Sequence, residues 1–221
     1  MPSPPSLERE RLAWTERRLL VGVDEVGRGP LAGPVVAAAV VFPPGFKRIQ
    51  GIRDSKILPG ERREELALLI RTRVIRLGVG AASSREIDRV NIRVASALAM
   101  RRALRRALGI RSASIEMTES HVIIIDGLPL PEIGYPHEAL VDGDALCYSI
   151  AAASIVAKTV RDRLMRCLAS RHPGYGWHTN VGYSTQEHLT GISTIGVTRH
   201  HRLSFAPMAQ RDLWENEPAL R

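Results

Sequence analysis

The sequence predicts an α/β fold in which helices flank a mixed five-stranded sheet, with a helical extension at the C-terminus. Three observations predict it. The apolar runs 19–26 and 34–42 are separated by a turn rich in glycine and proline, the pattern of two antiparallel strands. The run HVIIIDG at 121–127 is typical of a central strand buried on both faces. The segment 91–108 repeats alanines at helical spacing opposite arginines, which predicts an amphipathic helix.

The remaining elements follow from local signals. Pro59 occupies a first helical position ahead of ERREELALLIRTR, whose leucines recur at helical spacing. RVIRLGVGAA at 73–82 predicts a third strand, and HEALV at 137–141 predicts one more. Asp144 stands where a helix N-cap belongs, ahead of a long apolar segment that runs to residue 170.

These elements suggest one main domain. We expect residues 1–18 to be a flexible N-terminal segment and residues 19–170 to form the α/β domain. Residues 171–221 are expected to be a helical and loop region packed on that domain.

The charge balance favours a polyanionic partner. The 221-residue chain has 31 Lys and Arg against 23 Asp and Glu, a net charge of +8 and a pI near 10.3. Nucleic acid is the polyanion that such a surface most often binds.

Nothing in the sequence indicates secretion or membrane insertion. Cys147 and Cys167 are too far apart for a CxxC motif, and we expect both to be buried thiols in a reducing compartment. The N-terminus lacks the pattern of a signal peptide, and the longest apolar runs fall short of the ~20 residues of a membrane helix. We therefore expect a cytoplasmic protein with no membrane contact.

Four carboxylates carry the chemistry. Asp24, Glu25, Asp126 and Asp144 each lie at a strand end or helix start beside glycine or small residues. Such ends form the edge of an α/β sheet where sites are built. Gathered there, the four would repel one another unless cations lay between them, and oxygen ligands select Mg²⁺ or Mn²⁺. Two such ions can activate a water and stabilise the leaving oxygen of a phosphodiester.

Each acid also has a purely structural interpretation. Asp24 and Glu25 fit a solvated strand end, Asp126 fits a turn former, and Asp144 fits a cap. Successive strand residues point to opposite faces, so Asp24 and Glu25 need a break at the glycines, or a main-chain oxygen as ligand, to serve one site.

Asp162 competes with Asp144 as the last ligand. If both lie on one helix, their 18-residue separation places them roughly 27 Å apart, too far to share a metal pair. Lys158 and Arg166 flank Asp162 at the spacing of helical ion pairs. We therefore prefer Asp144.

The motifs DEVGRGPLAGPVV, DSK, IDG, GD, AAASIVAK and HRLSFAP run in this order from about residue 19 to 207. In this the chain resembles bacterial ribonuclease HII. The resemblance implies a ribonuclease H-like fold and an endonuclease that hydrolyses the RNA strand of RNA-DNA hybrids and nicks 5′ of ribonucleotides embedded in duplex DNA. It implies 5′-phosphate products, two Mg²⁺ or Mn²⁺ ions held by Asp24, Glu25, Asp126 and Asp144, and a monomer.

The resemblance also implies substrate-binding residues. Gly27, Arg28 and Gly29 match the segment that senses the ribose 2′-hydroxyl, and Tyr183 matches a tyrosine that stacks near the scissile junction. Three further positions match phosphate-binding residues, namely Lys56, Ser154 and Lys158. Without the resemblance, the three loop residues fit an ordinary strand-ending turn.

The chain departs from the family pattern beside Tyr183. Val181 stands where lysine is usual and Ser184 where glycine is common. One phosphate contact is then missing or supplied by a neighbour such as His178 or Arg199. His200 and His201 are expected to close the fold rather than to act as bases.

Two alternatives and one partner stay open. Ribonuclease HIII shares the fold but normally carries an N-terminal substrate-binding domain, whereas only residues 1–18 precede the first strand here. An inactive nucleic-acid-binding protein of the same fold has little reason to set four acids against phosphates. QRDLW at 210–214 loosely resembles peptides that dock on sliding clamps, and a packed C-terminal helix explains it as well.

Overall fold

The computed structural model describes residues 4–110, 120–206 and 208–209. The strands are β1 (Leu19–Val26), β2 (Val35–Val41), β3 (Arg76–Ala82), β4 (His121–Asp126) and β5 (Glu138–Leu140). The α-helices are α1 (Glu8–Thr15), α2 (Gly60–Arg73), α3 (Ser84–Leu108), α4 (Gly143–Leu146), α5 (Tyr148–Arg171), α6 (Trp177–Asn180) and α7 (Gln186–Ile195).

The strands form the mixed five-stranded sheet that the sequence predicts. Their order is β3-β2-β1-β4-β5. The pair β1–β2 is antiparallel, as expected for strands joined by a short connection. The pair β2–β3 is also antiparallel, although α2 lies between these strands in the chain. The pairs β1–β4 and β4–β5 are parallel. The carboxyl ends of β1, β4 and β5 therefore meet at one edge of the sheet, which is where the predicted acids lie.

Helices cover both faces of the sheet. Val21 and Val23 of β1 pack with α3, whereas Ala38 and Val40 of β2 point the other way and pack with α2 and α5. Gly22 has no room for a methyl group, which would overlap the main chain of Ser149. This missing side chain brings α5 close to β1, so residues of α5 can reach the end of that strand.

The N-terminal region differs from the expectation. Residues 1–18 were expected to be a flexible segment, yet the described part of it, residues 4–18, contains α1, and Leu7 and Ala13 are buried. The main chain of Ser6 pairs with Cys147, and Tyr148 donates its N–H to the Ser6 carbonyl over 3.0 Å. This anchoring depends on distant residues, so local composition did not reveal it.

Several boundaries also differ. Asp144 is not an N-cap: Asp142 precedes α4, and Asp144 lies within that short helix. Pro59 is the N-cap residue of α2 rather than its first helical residue. The helix expected at 91–108 is the second part of α3, because Asn91 has φ +66° and interrupts the helix, and its Oδ1 accepts the N–H of Val94 over 3.1 Å. A first part, which was not expected, begins at Ser84 after the capping box of Ser83 and Glu86.

The two cysteines differ in burial. Cys147 is buried as expected, but Cys167 is exposed, because it lies on the outer side of α5.

Among the residues described, no helix is long and apolar enough to span a membrane.

The C-terminal region packs on the main sheet domain through one aromatic cluster. Tyr175 and Trp177 are stacked with ring centroids 5.0 Å apart, and both are buried against Met165 of α5. The loop before α7, which holds Tyr183, is thereby fixed near the end of β1.

Candidate active site

Strand pairing places Asp24 beside Asp126. The parallel register of β1 and β4 ends at Val23 and Ile125, and the two acids occupy the next position on each strand. The carboxyl ends of parallel strands are the usual place for a site in such a sheet. Asp24 is only 5% exposed, although aspartate side chains are mostly found at the surface.

Glu25 joins the same site. Asp24 and Glu25 both line one cleft of about 530 Å³, together with Asp126. The pairing of β1 with β2 continues through Val26, so the strand does not break between the two acids. Neighbouring side chains of an unbroken strand point to opposite faces. Both acids nevertheless line the cleft, because the glutamate side chain lies at the strand end and reaches it.

Asp144 stands at the rim of this group. The N–H of Gly143 donates to Asp126 Oδ1 over 2.7 Å, which ties α4 to the end of β4. Asp144 interacts electrostatically with Asp126 and with Lys56. The structure thus brings the four predicted acids into one neighbourhood.

Burial and mutual repulsion raise the pKa of three of these acids. Burial raises the pKa of Asp24 well above its ordinary value, and the charges of Glu25 and Asp126 raise it further. Burial also raises the pKa of Glu25, although Arg28 opposes this, and burial followed by Asp126 raises that of Asp144. A cation in the cleft would relieve both the burial penalty and the repulsion.

The donor set suits a hard divalent cation, but the side chains are not gathered around one. Among the described residues, no three His, Cys, Asp or Glu side chains converge closely enough to hold a metal ion. Asp24 Oδ1 accepts the N–H of Glu25 over 2.7 Å, and Glu25 Oε1 is 3.0 Å from Arg28 Nη1. Metal binding would require these carboxylates to turn from their present partners.

Ser154 lies behind the acids rather than on the open surface. It is 2% exposed, its hydroxyl is 2.9 Å from that of Ser55, and it hydrogen-bonds Asp24. Ser154 also lines the cleft, so a phosphate contact stays a prediction. Its present contacts connect Asp24 to the loop that carries Lys56.

Lys56 faces the carboxylates. Partial burial lowers the pKa of this ammonium, but the charges of Asp144, Asp54 and Asp24 outweigh that effect, and the pKa is raised. Lys56 lines the cleft. Its positive charge therefore lies beside the acids, and its phosphate-binding role stays a prediction.

Lys158 lines the same cleft but is already paired. Its ammonium is 2.7 Å from Asp162, and Arg63 binds the same carboxylate at 3.1 Å. The predicted Lys158–Asp162 ion pair is present, whereas Arg166 pairs with Glu64 instead. The phosphate-binding role of Lys158 stays a prediction.

Gly27, Arg28 and Gly29 form one wall of the cleft, and Tyr183 lies against it. Gly27 has φ +96°, which favours glycine. A methyl group at Gly29 would lie 3.7 Å from the Tyr183 ring. Tyr183 is 47% exposed, so its ring is available for stacking. The predicted loop and the predicted tyrosine are thus neighbours.

The two departures from the family pattern lie beside this tyrosine. Val181 has φ +44°, an unusual conformation for a branched residue, and its carbonyl accepts a bond from Arg161 over 3.1 Å. Ser184 is exposed. Their effect on affinity stays a prediction.

His200 and His201 belong to the closure of the fold. His201 is buried, with its Nε2 3.2 Å from His188 Nε2, and the backbone of Ala32 pairs with that of His201. His188 Nδ1 is 2.8 Å from the Tyr183 carbonyl. The histidines therefore support the loops of the cleft.

Sequence reasoning missed two residues at this site, Arg161 and Arg202. Both are 0% exposed and bind carbonyls of the segment 27–34. Arg161 interrupts a row of apolar residues four apart, Ala157 before it and Met165 after it, which was a signal that its side chain points inward. Arg202 carried no comparable local signal.

Acidic side chains at the ends of adjacent parallel strands, in a cleft lined with Arg28 and Lys56, define a nuclease with a ribonuclease H-like fold. The sequence profile of the Ribonuclease HII family matches residues 21–208. The chain belongs to the ribonuclease HII family, divalent-metal-dependent endoribonucleases that act on RNA-DNA hybrids.

Curated relatives agree over most of the chain. It is 48% identical to the Ribonuclease HII of Synechococcus sp. (strain JA-3-3Ab), covering 96% of this chain and 92% of the relative. It is 51% identical to that of Cereibacter sphaeroides (strain ATCC 17025 / ATH 2.4.3), covering 92% of each. These matches favour an active enzyme over an inactive binding protein.

Solved structures share the fold. The ribonuclease H2 of Pyrococcus horikoshii OT3 is 23% identical with a TM-score of 0.71, over 90% of this chain and 100% of that one. The RNase HII of Archaeoglobus fulgidus, solved in complex with PCNA, is 25% identical with a TM-score of 0.67, over 85% and 95%. Bst-RNase HIII, solved in complex with Mn²⁺, has a TM-score of 0.65 at 23% identity, over 95% and 74%.

Proposed function

We propose that this ribonuclease nicks duplex DNA on the 5′ side of single embedded ribonucleotides and also cleaves the RNA strand of RNA-DNA hybrids. Both reactions would leave 5′-phosphates. The observation that carries the proposal is the cleft in which Asp24, Glu25 and Asp126 meet the Gly27–Arg28–Gly29 wall and Tyr183. One side of this cleft carries the acids that would hold cations, and main-chain groups on the other side would approach a sugar closely.

The carboxylates of Asp24, Glu25, Asp126 and Asp144 would hold two Mg²⁺ or Mn²⁺ ions. Such ions supply an activated water and neutralise the charge that develops on the leaving oxygen. Mg²⁺ and Mn²⁺ both accept all-oxygen ligands, and the donor set does not favour either.

The surrounding residues would position the substrate. Lys56 carries its charge beside the acids and would bind a backbone phosphate. Main-chain groups of Gly27 and Gly29 can approach a ribose because no side chain intervenes, and a 2′-hydroxyl both donates and accepts. The exposed ring of Tyr183 would stack on the sugar or base that follows the ribonucleotide.

A sliding clamp is a further proposed partner, through residues 210–214. These residues lie outside those that the structure describes. Support comes from the QRDLW sequence and from the Archaeoglobus fulgidus RNase HII, which was solved in complex with PCNA. Deleting residues 210–221 should abolish binding to a clamp in a pull-down and leave cleavage of a short duplex unchanged; unchanged clamp binding would exclude this segment.

We also propose that the enzyme works as a monomer in the cytoplasm, where bacterial DNA is exposed to it. Light scattering of the purified protein would measure a mass near 24.4 kDa if it is monomeric. A mass of twice that value or more would contradict the proposal.

The central experiment uses an end-labelled DNA duplex that contains one ribonucleotide. Wild type and Asp126→Asn are compared in Mg²⁺, in Mn²⁺ and in EDTA. We expect a nick 5′ to the ribonucleotide in either metal, none in EDTA, and a loss of at least 1000-fold in the variant, since one carboxylate of the shared centre is gone.

The outcomes separate the candidate functions. A variant that binds the duplex but no longer nicks it supports the assignment of the acids. Binding by wild type without a nick in either metal would leave a nucleic-acid-binding protein. Cleavage of long hybrids alone would restrict the function to RNA strands.

A further inference from the structure

Two fully buried arginines lie next to the cleft. Arg161 of α5 and Arg202 are both 0% exposed. In the described part of the chain, every hydrogen bond of their guanidinium groups goes to a main-chain carbonyl, and neither forms an ion pair. A buried charge without a counter-ion is costly even when carbonyls satisfy its donors. Two such charges at neighbouring positions point to a role in the site.

Arg202 holds both ends of the 27–34 loop together. Its guanidinium donates to the carbonyls of Gly27, Arg28 and Gly33 over 2.6, 2.8 and 3.0 Å. Burial, and then the like charge of Arg161, lowers the pKa of Arg202 to about 9, so it stays charged at neutral pH. The first two residues of the Gly27–Arg28–Gly29 wall are therefore fixed from behind.

Arg161 joins the same loop to the segment that precedes Tyr183. It donates to the carbonyls of Pro34 and Ala32 over 3.0 and 3.2 Å, and to that of Val181 over 3.1 Å. A main-chain bond from Leu31 N to the Gly182 carbonyl, 2.8 Å long, lies alongside. The planar guanidinium fork suits this arrangement because its donors diverge at fixed angles.

We propose that Arg161 and Arg202 are positioning residues for ribonucleotide recognition, which together fix the 27–34 loop at a set distance from Tyr183. Neither touches the substrate. They act by presenting the main-chain groups of Gly27–Arg28–Gly29 and the ring of Tyr183 in one rigid arrangement. The inference rests on the proposed nicking at single ribonucleotides.

The variants Arg161→Lys and Arg202→Lys test the proposal, because each keeps the positive charge and removes the planar guanidinium group. Arg166→Lys is the matched control, since Arg166 lies on the same helix and pairs with Glu64 instead. For the duplex with one ribonucleotide, kcat/KM should fall at least tenfold in both test variants and stay within twofold in the control. The Kd for an all-DNA duplex of the same sequence, measured by fluorescence anisotropy, should stay within twofold in all three.

If both test variants retain the wild-type kcat/KM, the proposal is overturned. It is also overturned if binding of the all-DNA duplex is lost in proportion to activity, because that result would indicate a general structural role. If wild type cleaves hybrids but does not nick at the single ribonucleotide, the proposed function fails instead. The two failures are thus distinguishable.

A second measurement needs no variant, in case the lysine proteins do not fold. Amide hydrogen exchange of wild type should protect Leu31 and Gly33, whose N–H groups donate to the carbonyls of Gly182 and His200, about as strongly as the centre of α5. Exchange of these two amides within seconds, while α5 stays protected, would show that the loop is not held and would overturn the inference.

Discussion

The N–H of Gly143 donates to Oδ1 of Asp126 over 2.7 Å, and this bond joins the end of β4 to the start of α4. A methyl group on Gly143 would lie 3.1 Å from that oxygen and 2.8 Å from Ile150 Cδ1. The close approach therefore sets where Asp144 stands relative to Asp126.

Gly143→Ala should accordingly impair the site more than the fold. The added methyl group would push α4 from β4 and separate Asp144 from Asp126, so we expect the Mn²⁺ concentration for half-maximal cleavage to rise at least fivefold. Gly60→Ala is the control, because a methyl group there meets only the end of Arg63 at 4.0 Å. Equal metal dependence in the two variants would show that this contact does not position Asp144.

Glu10 is a buried carboxylate that caps a helix from another element. It is 1% exposed, and its Oε1 accepts the N–H of Ser149 over 2.7 Å in the first turn of α5. A negative charge is favourable at a helix N-terminus. Glu10→Ala leaves that donor unpaired, which should lower the free energy of unfolding by about 2 kcal/mol.

Urea unfolding measures this loss, with two comparisons. Glu10→Gln keeps an acceptor oxygen and should lose less stability than Glu10→Ala. Glu8→Ala changes an exposed residue of the same helix and should be nearly neutral. If both alanine variants unfold at the wild-type urea concentration, α1 does not stabilise α5 through this contact.

The strands and the acids at their ends could be predicted from the sequence because their signals are local. Glycines and prolines end the strands, and β1 and β2 are nearly continuous apolar runs, which is typical of strands buried on both faces. Asp24 and Asp126 stand directly after apolar runs, and parallel pairing then brings them together. The family resemblance adds the identity of the loop and of Tyr183.

The supports of the site could not be predicted, because they depend on residues far apart in the chain. Glu10 reads as one of several charges in a segment that was expected to be flexible, and only the fold shows it at the start of α5. Asp144 looked like an N-cap because Gly143 and Asp142 give no local sign that a separate short helix begins there. Arg202 binds Gly27, which is 175 positions away.

The buried histidine pair predicts a loss of stability in acid. Burial, followed by the charge of His188, lowers the pKa of His201 to about 4. His201 Nδ1 accepts the N–H of Thr198 over 2.8 Å, so its proton lies on Nε2, which faces His188 Nε2. Since the unfolded chain binds a proton near pH 6.5 and the folded one only near pH 4, stability is complete above 6.5 and falls as pH falls toward 4.

Thermal unfolding at pH 7.5, 6.0 and 5.0 tests this expectation. The melting temperature of wild type should fall across the series relative to that of His201→Gln, because the acids whose pKa is raised act in the opposite direction but equally in both proteins. His178→Gln, at an exposed histidine, should follow wild type. If the melting temperature of His201→Gln depends on pH as that of wild type does, His201 is not the source of the stability loss in acid.

The hydroxyls of Ser154 and Ser55 should act on Asp24 as a unit. They are 2.9 Å apart, both residues are buried, and Ser154 also bonds Asp24. Ser154→Ala or Ser55→Ala should each lower kcat several-fold by releasing Asp24, and the double variant should be little worse than Ser154→Ala alone. The kcat values are measured on the one-ribonucleotide duplex. If the loss of kcat in the double variant equals the product of the two single losses, the two hydroxyls act separately.

The two glycines of the Gly27–Arg28–Gly29 wall should respond differently to alanine. Gly27 has φ +96°, and a methyl group there would overlap the Arg161 guanidinium, so Gly27→Ala combines backbone strain of about 1–2 kcal/mol with overpacking of about 1–3 kcal/mol. A methyl group on Gly29 meets only the Tyr183 ring at an ordinary 3.7 Å. Gly29→Ala should therefore keep the wild-type unfolding midpoint and lose activity only by obstructing the ribose, which appears as a raised KM for the one-ribonucleotide duplex. If Gly27→Ala unfolds at the wild-type urea concentration, the loop can move away from Arg161, and the rigid arrangement of this wall is wrong.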